Sequence, residues 1–229
     1  MYKEKVINYI DVFLAKNSFF KIEKGDRTAA VFEYSKLQND INFGIEFLPD
    51  IYKNGHFWGF SFVNRISILE NIVTKILYET EIIAVKPYEI SYSIHFKYED
   101  QYMLPTAGIL IDSEEKVKEV CFLFDKFYSE YFLPFYQKWS SLNALYEFVK
   151  DKEGREELND ILGQFWQFKK AAILRLCNDK NYQKYMDTIY EREKKYFEEA
   201  PNDIDNIRYY NAAKELKEVL DNTEPVYNV

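Results

Sequence analysis

Residues 113–151, SEEKVKEVCFLFDKFYSEYFLPFYQKWSSLNALYEFVKD, decide how the rest of the chain is read. Within them Val117, Val120, Cys121, Phe124, Phe127, Tyr128 and Tyr131 recur every three or four residues, the spacing that lines one face of a helix. Asp112 is placed to cap that helix, with Glu115 at the return position of a capping box. Pro134 lacks an N–H and clashes with the preceding turn, so an end or a kink is expected at about Phe132. A second helix is expected from Ser140 or Ser141 to just before Gly154. Upstream of the stretch the apolar residues mostly alternate, as in strands; downstream they keep the helical period. It therefore joins a sheet half, residues 1–112, to a helical half, residues 113–229. The stretch is not rich in Gly, Ser and Pro as flexible connectors are, so the halves are expected to form one continuous body. Its aromatic stripe is expected to bury on the sheet, with Phe135, Tyr136 and Trp139 turned toward the helical half.

In the upstream half, Val6, Ile7, Ile10, Phe13 and Leu14 define an amphipathic helix over residues 2–16. Residues 19–23 and 28–34 read as strands flanking a Lys24-Gly25-Asp26-Arg27 turn. Ile41, Phe43, Ile45 and Phe47 alternate with polar or small residues, and Trp58, Phe60 and Phe62 share one side of a strand at 57–63. Ser67 and Glu70 have the spacing of a capping box ahead of a helix of about three turns. Residues 80–85 fit a short strand or an extended connector. The longest alternation runs over 88–98, where Tyr88, Ile90, Tyr92, Ile94, Phe96 and Tyr98 interleave with polar residues, as in an antiparallel sheet with one open face.

In the downstream half, helices are expected over 155–177, 181–198 and 203–221. The breaks at Asn178-Asp179 and Ala200-Pro201-Asn202 are short, so neighbours should pack as antiparallel hairpins. The last seven residues are expected to be frayed or loosely docked. The fold class is α+β: an N-terminal helix with an antiparallel sheet of about five strands, then a C-terminal all-helical bundle.

Composition narrows the function. The chain has 229 residues, of which 20 are Tyr and 19 Phe, but only 7 Gly and 6 Pro, which favours long packed elements over loops. Net charge is −8 and neither half is basic: residues 1–112 carry 12 Lys+Arg against 15 Asp+Glu, and residues 113–229 carry 18 against 23. Nucleic-acid affinity rests on neutralising phosphates, so nucleic acid is not an expected partner; an acidic surface suits a basic protein partner. No apolar run approaches about 18 residues, so no membrane span is expected. Cys121 and Cys177 have neither metal-site nor disulfide spacing, and the expected compartment is the reducing cytoplasm.

Six residues are candidates for ligand or partner contact. His95 lies on the polar side of the 88–98 alternation between Ser93 and Lys97, and Glu46 sits on the polar side of an earlier strand. Together they outline a hydrolase site on an open sheet face. His56 and Trp58 edge the aromatic stripe and outline a cavity for a small apolar ligand. A solvated strand histidine and an ordinary core stripe explain the same residues. No catalytic residue, metal set or cofactor is expected: there is no His-rich metal spacing, no G-x-S-x-G and no phosphate-cradling glycine loop.

FFKIEKGDRTAAVFEY (19–34), INFGIEFLP (41–49) and FYSEYFLPFYQKWSSLNALYEFV (127–149), set behind an opening helix, together make up about a quarter of the chain. In type and order they resemble bacterial α+β families of unknown function, some of which are immunity proteins encoded beside polymorphic toxins. That resemblance implies a small intracellular protein without catalysis, and it transfers no functional residue. The expected function is a non-catalytic binding protein, of immunity or adaptor type, that recognises a basic protein. The alternatives are the hydrolase and the apolar-ligand binder.

Overall fold

The computed structural model describes residues 2–22, 32–38, 41–48, 56–57, 59–84 and 108–228. Their order is the expected α+β one: an N-terminal helix, antiparallel strands, then a helical C-terminal region. Two compact units divide the chain, Met1–Asn64 with Lys97–Ser140 and Arg65–Phe96 with Ser141–Val229. Each unit thus takes residues from both sides of position 112, and residues 113–151 are shared between them.

In the first unit, α1 (Tyr2–Lys16) buries Val6, Ile10 and Leu14 along one stripe. Strands β1 (Phe20–Ile22), β2 (Phe32–Gln38), β3 (Ile41–Leu48) and β5 (Gly59–Ile66) form a four-stranded sheet in the order β1-β2-β3-β5. β1 and β3 both run antiparallel to β2, with Phe20 opposite Ser35 and Tyr34 opposite Ile45. A separate antiparallel pair joins β4 (His56–Phe57) to β6 (Ile109–Leu110). Gly108 sits against that pair at φ +72°, where an added Cβ would lie 2.8 Å from the Phe57 carbonyl oxygen, so backbone angle and space both call for glycine.

β2 continues to Gln38, beyond the end expected at Tyr34. Lys36 hides that continuation in the sequence, because it follows Tyr34 on the core face, opposite buried Phe43. Its ammonium lies 5.6 Å from the Phe19 ring centre and 5.1 Å from that of Tyr136, and donates to the Asn17 carbonyl at 3.2 Å. The aliphatic stem packs while the charge reaches a carbonyl.

The long helix of this unit begins one residue later than expected. Ser113, extended at φ −147° and ψ 163°, caps α3 (Glu114–Lys126) by accepting the Lys116 N–H at 3.3 Å. Glu115 therefore lies in the first turn and not at the return position; there it still favours the positive end of the helix dipole. Helical winding then runs unbroken past Pro134. Six residues, Phe127–Phe132, wind as a π-helix, and α4 (Leu133–Lys138) follows at once. The wider turn shifts the carbonyl that the proline ring would strike, so the change expected at Phe132 is one of winding.

That widened turn keeps one aromatic face on the sheet. Phe60 lies 5.2 Å from both Phe124 and Phe127, and Phe62 lies 5.8 Å from Phe127 and 4.5 Å from Phe135, all between ring centres. From α1, Phe13 meets Phe124 and Tyr128 edge-on at 5.3 and 4.9 Å. Phe135 and Tyr136, expected to face the helical half, pack on the sheet instead, Tyr136 at 4.6 Å from Phe43. The buried Asn64 amide donates to the Trp139 carbonyl at 3.2 Å. The π-turn is the reason: it re-phases the helix, so residues beyond Pro134 stay on the stripe.

In the second unit, α2 (Ser67–Glu79) has Ile66 at its N-cap and no side-chain cap. Ser67 and Glu70 do not form the expected box. Glu70 is fully buried, with one carboxylate oxygen 3.2 Å from the Lys169 ammonium. After α5 (Leu142–Val149), capped by Ser141, the helix expected over 155–177 splits into α6 (Arg155–Leu162) and α7 (Trp166–Leu176). The break is conformational: Gly163 takes φ 68°, ψ −154°, and Phe165 is left-handed at φ 62°, ψ 24°. Then come α8 (Tyr182–Glu199) and α9 (Ile204–Asp221), the latter capped by Asp203. Tyr182 bonds Asp221 while Asn206 bonds the Tyr196 carbonyl, so α8 and α9 run antiparallel. Residues 80–84 form a turn, and the 88–98 alternation lies outside the described residues.

α7 is the axis of this unit. It packs on α2, α5, α6, α8 and α9, and eight of its eleven residues are buried, Lys169 and Lys170 among them. Lys169 turns to Glu70 on α2; Lys170 bonds the Lys152 carbonyl and lies 5.1 Å from the Tyr185 ring centre on α8. Burial pushes the Lys170 ammonium below its ordinary pKa.

Two stability measurements test this account by chemical denaturation. Phe62→Ala, at the centre of the aromatic stripe, should cost about 3–5 kcal/mol. Lys169→Met should cost about 3–5 kcal/mol by leaving the Glu70 carboxylate buried without its cation, and adding Glu70→Gln should recover most of that loss. Equal losses in the single and double variants would show that the charge pair is not the cause.

Candidate functional site

Of the six candidate residues, Glu46 and His56 fall among those described; Trp58, Ser93, His95 and Lys97 lie outside them. Glu46 is half-buried on β3 and accepts a hydrogen bond from Ser61 on β5 at 3.2 Å. Two residues from it, Gly44 is buried, and Ser35 opposite is 1% exposed. The middle of the sheet face that alternation marks as polar is therefore covered, and among the described residues of that face Phe20 and Leu37, at its outer part, are strongly exposed. His56 is half-buried in β4, opposite Leu110, and not in the four-stranded sheet that carries Glu46. The structure thus holds these two candidates on separate sheets.

Other reactive groups are tied to packing. Burial, with Asp125 nearby, raises the Cys121 thiol to about 11; burial and Asp179 raise Cys177 to about 12. Both are free thiols, protonated at neutral pH and so poor nucleophiles. Among the described residues four tyrosines donate their phenols to aspartates elsewhere in the chain: Tyr9 to Asp125, Tyr34 to Asp11, Tyr146 to Asp179 and Tyr182 to Asp221. Burial first, and the carboxylate second, raise each of these phenols, Tyr9 to about 12. They act as hydrogen-bond donors across the whole neutral range, which gives part of the tyrosine excess a structural use. Among the described residues no group of three or more His, Cys, Asp and Glu could hold a metal ion, and no helix is long and apolar enough to cross a membrane.

One concave feature of the second unit carries unbalanced charge. An open groove of about 880 Å³ runs between the C-terminal end of α2 and the outer face of α9, lined by Glu79, Thr80, Lys214, Glu215, Glu218 and Asn222 among others. α2 supplies Glu79 because its buried stripe, Leu69, Val73, Ile76 and Leu77, faces the bundle and leaves Glu79 at the rim. α9 buries Ala212, Ala213, Leu216 and Leu220, which turns Glu215 and Glu218 toward the groove. Partial burial pushes the Glu215 carboxyl above its ordinary value; the Glu79 carboxylate, within hydrogen-bond reach, and Glu218 push the same way, while Lys75 opposes them. Lys75 itself stands 3.8 Å from Glu79. Glu215 thus resists deprotonation, and the carboxylates beside it attract a cation.

The comparisons add no relative: no protein-family model, no curated protein and no solved structure matches the chain. The groove carboxylates are also absent from the sequence-derived candidates. Glu79 and Glu215 are far apart in the chain, and each reads as an ordinary charge on a helix surface. The acidic balance of both halves is the sequence signal that bears on them.

The Glu215 shift fixes a pH dependence. A carboxyl whose folded pKa is raised contributes stability that is complete below the unfolded value of 4.5 and is lost as pH rises through the folded value. Glu215→Gln should therefore be more stable than the native chain at pH 7, by less than about 1 kcal/mol because solvent screens the site. The difference should vanish toward pH 4.5. Denaturation midpoints across that range check it, and a difference independent of pH would show that the Glu215 carboxyl is not raised in the folded protein.

Proposed function

We propose that this protein is a non-catalytic binding protein, of immunity or adaptor type, that takes a basic segment of a partner protein on its acidic helical unit. The observation that carries the reading is the groove, where Glu79 and Glu218 stand beside a Glu215 carboxyl that holds its proton more firmly than usual. A Lys or Arg side chain entering there would relieve the repulsion among the carboxylates and favour the charged form of Glu215. The net charge of −8 supplies the longer-range attraction that steers a basic partner toward any such site. The thiols and phenols described above are held in their neutral, unreactive forms, which suits a protein that binds and does not transform its ligand. Both cysteines are free, which fits the reducing interior of a bacterial cell.

The test is capture from a lysate of the native host at low salt, using the native chain beside a Glu79→Gln, Glu215→Gln, Glu218→Gln variant. A basic protein should be retained by the native chain and released between about 50 and 200 mM salt, within which screening of exposed charge becomes strong. The variant should retain it at least about tenfold less tightly, a loss of about 1.4 kcal/mol. Equal retention by both chains would remove the groove from the interface, and hydrolysis of a substrate by the purified chain would overturn the reading.

A further inference from the structure

We propose that residues 222–228 are a releasable strap that locks the C-terminal ends of α7 and α9 to each other, so that the two ends open together. A helix leaves its last carbonyls without partners inside the helix, and each must be satisfied from elsewhere. At the end of α7 the Cys177 N–H bonds the Ile173 carbonyl at 3.0 Å and the Asp179 N–H bonds that of Leu174 at 2.9 Å, with Asn178 left-handed between them at φ 55°. The Leu176 carbonyl is reached from the strap, by the Val226 N–H at 2.8 Å and the Tyr227 N–H at 3.1 Å.

The end of α9 is completed in the opposite direction. Arg175, in the last turn of α7, donates through Nε to the Leu220 carbonyl at 2.9 Å and to the Thr223 carbonyl at 2.8 Å. A cation is favoured at that negative end of the helix dipole. The guanidinium lies 5.6 Å from the Tyr182 ring centre; Tyr182 bonds Asp221, Asp221 pairs with Lys217, and Lys217 pairs with Asp187 on α8. The Asn178 amide donates to the Asn228 side-chain carbonyl at 3.0 Å, closing the loop at its far end. Each helix end thus depends on atoms carried by the other. The strap contributes little to the core, since Val226 is 48% and Tyr227 39% exposed. Its hold is polar and local, which places it at the low-stability end of the fold, where opening does not need global unfolding.

Hydrogen exchange by mass spectrometry on the full chain tests the reciprocity. Val226→Pro deletes one donor in the strap, and should raise exchange at the distant amides of residues 221–223 by at least about tenfold while α5 keeps its native protection. Arg175→Met, which keeps the stem and removes the donor, should raise exchange at residues 226 and 227 to a similar extent. Val226→Ala retains the N–H and should leave both ends as in the native chain. Native protection at 221–223 in the first variant, or at 226–227 in the second, would overturn the strap; so would loss of α5 protection in Arg175→Met, which would make Arg175 a global prop.

Discussion

A helix surrounded on every side has nowhere to send a charge, and α7 carries two consecutive lysines in that position. Lys169 and Lys170 point to different neighbours, one to the Glu70 carboxylate on α2 and the other to the Lys152 carbonyl and the Tyr185 ring. A buried ion pair costs several kcal/mol of desolvation per charge and gives little net stability. Its effect is selective: α2 slid by one turn, or rotated about its axis, would leave two buried charges apart. The helices packed around α7 therefore have one register that satisfies its lysines and many that do not. Among the described residues neither Glu70 oxygen accepts an aligned hydrogen bond, so the attraction is chiefly between charges at 3.2 Å.

The first unit solves a different problem, that of laying a long helix containing a proline across a twisted sheet. Ending the helix at Phe132 would have exposed Phe135 and Tyr136; an unbroken α-helix would have forced the Pro134 ring into the preceding carbonyl. Six residues of π-winding avoid both outcomes, and Phe62 touches a ring at the start of the change, Phe127, and one beyond it, Phe135. Offset and edge-on rings then supply directional contacts beyond the area they bury.

Much of the fold was legible in the sequence because apolar period is set by burial, and burial is what α1, β3 and α3 share. The misplacements have physical causes that act at single residues. Ser113 outcompetes Asp112 as a cap by one position, and Glu70 looks like a capping carboxylate because an acidic residue is seldom expected in a core. Lys36 and Lys169 break apolar patterns at positions that are packed all the same. The division of α6 from α7 rests on Phe165 adopting a left-handed backbone, which no preference of phenylalanine announces. For function the limit is different: Glu46 and His56 read as candidates from strand parity, yet parity does not reveal that they lie on separate sheets. The groove carboxylates meet only after helices far apart in the chain, α2 and α9, have packed.

The second unit takes α2 from the middle of the chain and the rest of its helices from the end. During synthesis the two parts leave the ribosome far apart in time. α2 is complete while α7 and α9 have yet to be translated, so Leu69, Val73, Ile76 and Leu77 first meet water or a chaperone. Final assembly of this unit waits on its last-made residues. A premature stop near residue 200 would thus yield a chain in which α2 can still meet α7 but not α9, a species left with part of its apolar stripe uncovered and open to capture and degradation.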